Sequence, residues 1–216
     1  MIASFPWYDL GPVRWANDAI WQAVRARLSE LSEGGLPALP LTLDRRTPVR
    51  EQWRSAELLV SHACGLDLLF EDAIEPVLAP VFDLPGCRAG HYFSYLVAGD
   101  AVDLKRDDLV AAVNSRRSHS GFTALFDVVQ PGSIELTGSH RSSIDAVQRG
   151  ACDVACIDAM TWRILGCPSD GLVVVERTRE APAPPYVSAA PVIVDSGSYE
   201  GAEVFGLLSK ALREVL

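Results

Sequence analysis

The feature that most constrains this chain is an alternation, maintained over nearly its whole length, of short apolar runs with helical segments or turns. Met1 to Phe5 has strand length and is closed by Pro6. Pro12 then precedes a helical pattern. Val13, Ala16, Ile20, Val24, Leu28 and Leu31 recur at three- and four-residue steps, and Gly34-Gly35 stops them. Leu39 to Leu43 and Glu57 to Ser61 read as strands, with a helical turn between them at Val49 to Trp53. Gly65 to Ile74 reads as a short helix ended by Pro76, and Val77 to Phe82 as a strand before the Pro85-Gly86 turn.

The alternation then restarts. His91 to Val97 and Leu109 to Val113 read as strands, and Ser118-His119-Ser120-Gly121 opens a helix that continues to Val129. Ile134 to Leu136 is a strand. Ser142-Ser143-Ile144-Asp145 has the form of a capping box and predicts a helix to Gly150. Asp153 to Ile157, Ala159 to Leu165 and Leu172 to Glu176 continue as strand, helix and strand. The prolines from Ala181 to Pro185 form a stiff connector, and Tyr199 to Val215 is a final amphipathic helix. Such a series predicts parallel α/β sheets covered by helices. Its breaks predict two lobes: residues 1–87 with 182–216, and residues 88–181.

Charge and motifs narrow the function. A formal charge of −9 argues against a broad nucleic-acid surface. It does not exclude an anionic ligand, because oriented N–H groups act over a few ångströms. No apolar stretch is long enough to insert in a membrane, and no basic, apolar leader is visible. The expected location is cytoplasmic as the sequence stands, or periplasmic if a leader precedes it. Five cysteines, an odd number, favour free thiols. Cys152 and Cys156 read as buried small side chains on one strand face, without a His to complete a metal site. No phosphate-binding loop, dinucleotide fingerprint or nucleophile elbow is present, so neither cofactor nor metal is expected.

Ligands of open α/β sheets bind beyond the carboxyl ends of strands, where helix N-termini also point. That rule selects Asn114, Ser118, Ser120 and Gly121 after one strand, Ser139 and His140 after the next, and Asp158 after a third. Trp7, Tyr8 and Asp9 follow the first strand, and Ser61, His62 and Cys64 follow the one at Leu58. Hydroxyls and N–H groups at a helix start suit a phosphate, phosphonate or carboxylate. The same serines, and Asp158, are equally suited to capping helices, and Trp7 and Tyr8 to aromatic packing.

Val113-Asn114-Ser115, Ser118-His119-Ser120-Gly121-Phe122, Leu136-Thr137-Gly138-Ser139-His140, Ile144-Asp145-Ala146-Val147, Gly150 and Asp153 to Asp158 together resemble the second lobe of PhnD-like phosphonate-binding proteins. Those are substrate-binding components of ABC transporters with the type 2 periplasmic-binding fold. Tyr95-Leu96-Val97 resembles their crossing strand, and Pro185-Tyr186-Val187 their return. Arg116-Arg117 departs from the small polar residues usual there. The resemblance implies two α/β lobes joined by a hinge, with a ligand cleft between them. It places an oxyanion against Ser118, Ser120, Gly121 and His140, with Asp158 nearby and Tyr8 facing it. The function implied is ligand binding without catalysis, as a transporter component with a permease partner or as a soluble sensor. The alternative is an enzyme on the same fold, of the chorismate dehydratase or thiamine-pyrimidine synthase type.

Overall fold

A computed structural model of the chain describes residues 1–33, 35–189 and 201–216. Expectations on Gly34 and Tyr199 therefore lie outside the described residues. The elements run β1 (Ile2–Ala3), α1 (Arg14–Leu31), α2 (Val49–Trp53), β2 (Leu58–His62), β3 (Ile74–Leu78), β4 (His91–Tyr92), β5 (Ser94–Gly99) and β6 (Val110–Val113). A turn of π-helix (His119–Thr123) leads into α3 (Ala124–Phe126). There follow β7 (Ser133–Leu136), α4 (His140–Gln148), β8 (Val154–Asp158), α5 (Ala159–Ile164), β9 (Leu172–Arg177), β10 (Ala181–Pro182), β11 (Tyr186–Ala189) and α6 (Gly201–Val215). The chain divides into two compact units, Met1–Val81 with Pro184–Leu216 and Phe82–Ala183.

In the first unit a four-stranded sheet has the order β1-β2-β11-β3. β1 and β2 are parallel, whereas β11 runs antiparallel to both β2 and β3. The expectation of purely parallel sheets is corrected here. The returning strand enters between two outgoing ones, and its direction is opposite to theirs. The apolar face of α1 packs Trp21, Val24 and Leu28 against Phe5, Leu59 and Val60, with Leu208 and Leu212 of α6 in the same cluster. Arg27 of α1 pairs with Glu214 of α6 at the surface of this packing.

Two segments of this unit differ from their expected form. Leu39 to Leu43 is irregular: Leu43 is buried in the cluster that holds Ala3, Leu59 and Val60, and the following Asp44 N–H bonds the Ala3 carbonyl at 2.7 Å. Of the helix expected over Gly65 to Ile74 only a short 3₁₀ turn at Asp67–Leu69 forms, Ile74 already begins β3, and Pro76 lies within that strand rather than ending a helix. Proline is tolerated there because β3 is at the end of the sheet order, where one side of the strand needs no ladder donor.

The second unit holds a five-stranded sheet of order β7-β6-β8-β5-β9. β6 is parallel to β7 and β8, while β5 is antiparallel to β8 and β9. Strand alternation divides the core in two. Val97, Ala112, Ala155 and Ile157 meet Ile144 and Val147 of α4 and Trp162 of α5 on one face. Leu96, Ala98, Ala111, Val113, Val154 and Cys156 meet Leu125 on the other. Each central strand is apolar on both sides, as a sheet covered on two faces requires. β4 and β10 pair antiparallel as a separate two-stranded ribbon.

No helix among the described residues is long and apolar enough to cross a membrane. All five cysteines are free thiols: Cys64, Cys152 and Cys156 buried, Cys87 half-buried and Cys167 exposed. Cys152 precedes β8 rather than lying on it, and its thiol faces the Glu135 carboxylate at 3.6 Å.

Candidate functional site

The carboxyl ends of β6 and β7 bring together five of the residues selected from the sequence. Ser118 is the N-cap of the π turn, and its Oγ accepts the Gly121 N–H at 3.0 Å. The Ser118 and Ser120 hydroxyls lie 3.3 Å apart, and Ser120 Oγ lies 2.9 Å from Nε2 of His140. A π turn is wider than an α turn and is common at functional sites. Here Phe122 and Thr123 both direct their N–H groups at the Ser118 carbonyl, so the chain turns without using the serine side chains for anything but one cap. The helix expected to Val129 stops at Phe126.

Gly121 is required by Asn114. A Cβ placed on Gly121 would come within 1.9 Å of Asn114 Oδ1 and 3.2 Å of His140 Cε1. The amide oxygen of Asn114 therefore occupies the space that any other residue at 121 would fill. That oxygen is buried and has no hydrogen-bond partner. Nδ1 of His140 is likewise buried without a bond of ordinary geometry. Burial pushes the His140 pKa down to about 4, and a weaker backbone interaction with Cys156 acts in the opposite sense. The imidazole is thus neutral at pH 7, and the cluster is lined by dipoles rather than by a fixed charge. Arg116, in the loop before the π turn, lies over the Phe122 ring at 6.0 Å from its centroid.

Two other selected residues in this unit act as caps. Ser139 is the N-cap of α4, its Oγ accepting the Ser142 N–H at 3.0 Å. The helix therefore begins two residues before the expected capping box, because Ser139, not Ser142, has the extended backbone a cap needs. Asp158 caps α5, accepting the Thr161 N–H at 2.8 Å, and is buried.

The remaining candidates belong to the first unit. Ser61 is bound to Ser4 at 2.8 Å and receives the Trp53 indole N–H at 3.2 Å, so its hydroxyl is committed to packing β1, β2 and α2. Trp7 packs against Trp53 with ring centroids 5.9 Å apart. His62 is buried between Phe5 and Tyr186, at 5.1 and 4.2 Å between centroids, and Cys64 is buried beside it in sequence. Burial alone brings His62 down to about 3. Tyr8 has a left-handed backbone, φ 62, that non-glycine residues rarely adopt.

Asp9, selected with Trp7 and Tyr8 after the first strand, anchors that turn. It binds Arg45 through both oxygens at 2.7 and 3.0 Å, meets Arg14 at 3.3 Å and accepts from Asn17 at 3.2 Å. Burial alone would raise its pKa, but the Arg45 and Asn17 bonds and the two guanidinium charges outweigh it and hold the carboxyl below its usual value. Its position at a strand end was the available signal; of its two arginine partners Arg14 is close in sequence and Arg45 is 36 positions away. Among the described residues no group of three or more His, Cys, Asp or Glu is placed to hold a metal ion.

No family model matches the chain. No curated protein matches it. Solved structures do. A binding-protein component of an ABC phosphonate transporter from Pseudomonas aeruginosa matches with TM-score 0.59 and 16% identity, over 91% of this chain and 67% of that one. The fold is that of periplasmic binding proteins. A Xanthomonas citri protein solved with bound ATP matches with TM-score 0.63 and 12% identity, over 98% and 81%. A Silicibacter pomeroyi periplasmic binding protein of the His/Glu/Gln/Arg/opine family, in complex with lysine, matches with TM-score 0.57 and 15% identity, over 90% and 79%. The same periplasmic-binding fold thus serves proteins solved or described with phosphonate, nucleotide and amino-acid ligands. Ligand choice must therefore be argued from side chains.

Proposed function

We propose that this chain binds a small anionic ligand, a phosphonate- or phosphate-like oxyanion, at the Asn114–Ser118–Ser120–Gly121–His140 cluster. The observation that carries this reading is the convergence of two hydroxyls from the π turn and an imidazole from α4 in steps of 3.3 and 2.9 Å. Helix capping needs one hydroxyl, and Ser118 supplies it; Ser120 and His140 are surplus to it. Hydroxyl and ring N–H donors at the start of a helical turn suit an oxyanion, as helix starts do generally. The phosphonate-transporter component among the structural neighbours supports a role as the substrate-binding partner of a permease.

A thermal-shift panel of phosphate, methylphosphonate, sulfate, acetate and lysine tests this. A true ligand at a hundred times its dissociation constant stabilises the fold by about 2.7 kcal/mol. Ser120→Ala and His140→Ala should each weaken binding by about 1.5–3 kcal/mol if the contact is charge-assisted. A panel in which only lysine shifts the melt would sink the anion reading.

One observation favours an enzyme instead: Ser120 Oγ and His140 Nε2 stand at nucleophile–base distance. Two others weigh against it. A base near pKa 4 is weak, and the Gly121 N–H that an oxyanion hole would use is taken by Ser118.

A further inference from the structure

We propose that Ser118, Ser120 and His140 form a proton-linked relay, in which anion binding is accompanied by proton uptake on the His140 imidazole. The inference rests on the anion reading above and adds to it a protonation partner and a pH dependence.

The argument is a count of protons. Each hydroxyl has one to give. The Gly121 N–H fills one lone pair of Ser118 Oγ and holds that oxygen in place. One proton lies between Ser118 and Ser120, and another between Ser120 and His140. Three arrangements satisfy both bonds, for besides an inward and an outward direction the Ser120 oxygen can accept from Ser118 and from Nε2–H together, which leaves the Ser120 proton for the ligand. In the inward direction Ser118 donates to Ser120 and Ser120 donates to a bare Nε2. Both hydroxyl protons are then spent, and the serines offer an anion only lone pairs. In the outward direction Nε2–H donates to Ser120, Ser120 donates to Ser118, and the Ser118 proton remains for the ligand. An anion selects the outward direction or the arrangement in which Ser120 accepts twice, and in both Nε2–H is the donor.

The outward direction needs a proton on Nε2. A neutral imidazole can supply it only by leaving Nδ1 bare in a buried position, where a lone pair cannot donate to the backbone. A protonated imidazole supplies it with Nδ1–H retained, and the Cys156 backbone interaction favours that form. What opposes protonation is burial of the charge, and a bound anion supplies the opposite charge at the far end of the relay. The elements against His140 present no competing counter-ion in the contacts described. The π turn contributes Ser120 and Gly121, the end of β6 contributes Asn114, and β8 contributes the Cys156 backbone. Of these only Cys156 titrates, and its thiol is pushed up to about 12 by burial and by Asp127 and Glu176. On α4 itself, Arg141 is paired with Asp145 at 3.2 Å.

Sulfate is the discriminating probe because it carries no titrating proton near pH 6, so any proton taken up belongs to the protein. Calorimetry of sulfate binding at about pH 6, in two buffers of different ionisation heat, should show uptake approaching one proton per sulfate. Affinity should strengthen by up to about tenfold per unit fall in pH until the free imidazole itself protonates. His140→Gln, which keeps a side-chain N–H, should bind sulfate with neither the uptake nor the slope. Binding by the unaltered protein without proton uptake, or uptake unchanged in His140→Gln, overturns the relay and leaves the anion reading standing. Failure of sulfate, phosphate and methylphosphonate all to bind overturns both.

Discussion

Ser120 and His140, twenty positions apart in the chain, meet at 2.9 Å because the π turn after β6 and the first turn of α4 open at the same end of the sheet. β6 and β7 are parallel neighbours, so the segments that follow them start side by side. The pair is the junction of the candidate site.

Gly121→Ala should disturb this junction more than its single added methyl suggests. The new Cβ would meet the Asn114 side chain at its amide oxygen and carbon, at 1.9 and 2.9 Å. We expect a loss of about 1–3 kcal/mol in urea denaturation, the range for overpacking, together with loss of anion binding. The double variant Gly121→Ala/Asn114→Ala should recover most of the stability and little of the binding. A single variant as stable as the parent would show that Asn114 moves aside freely.

Acid should destabilise the fold in a defined window. His62 and His140 have folded pKa values near 3 and 4, against 6.5 when exposed. Above pH 6.5 both states leave these imidazoles neutral and nothing is gained or lost. Below it the unfolded chain binds protons that the folded one refuses, so stability falls as pH falls, by up to about 1.4 kcal/mol per pH unit per histidine. The loss continues towards pH 4 for His140 and pH 3 for His62. Urea midpoints measured from pH 7.5 to 4.5 should show the decline, and His62→Phe should flatten it.

Ser139 and Ser142 offer a sharper contrast. Ser139 accepts the backbone N–H of Ser142 and begins α4. Ser139→Ala should cost about 0.5–2 kcal/mol, the ordinary value of an N-cap. Ser142→Ala should cost clearly less, since its hydroxyl is exposed and meets only Ser139 at 2.8 Å. Equal costs would place the helix start at the capping box instead.

Thiol reactivity should follow burial. Cys167 is exposed and should react first with a disulfide reagent in the native protein. Cys87 is half-buried, with its pKa raised by burial and by Glu180, and should follow slowly. Cys64, Cys152 and Cys156 should react only on unfolding, so a native count above two thiols would contradict the described packing.

Much of this fold was legible because its elements leave local signatures. The α1 face, the two-sided apolar runs of β6 and β8, and the serine-opened turn at Ser118 all follow from patterns within a dozen residues. The errors fall where the deciding partner is remote. Pro76 reads as a helix stop until β11 makes its segment a strand at the end of the sheet order. Ser142 reads as a cap until the backbone of Ser139 turns out to be the extended one. Asp9 could be selected as a polar residue at a strand end, but not as the anchor of its turn, because Arg45 is brought to it only by folding.

The sequence by itself determined the α/β class, the two-faced burial of the central strands and the polar residues at the strand ends, because periodicity and turn chemistry act locally. Tertiary structure alone decided which of those polar residues are brought into hydrogen-bond contact with one another. Ser61 and His62 went to the packing of the first unit, and Ser139 and Asp158 became caps. Ser120 was brought onto His140 because parallel pairing of β6 and β7 aligns their ends, and hydrogen bonds between side chains act only over a few ångströms.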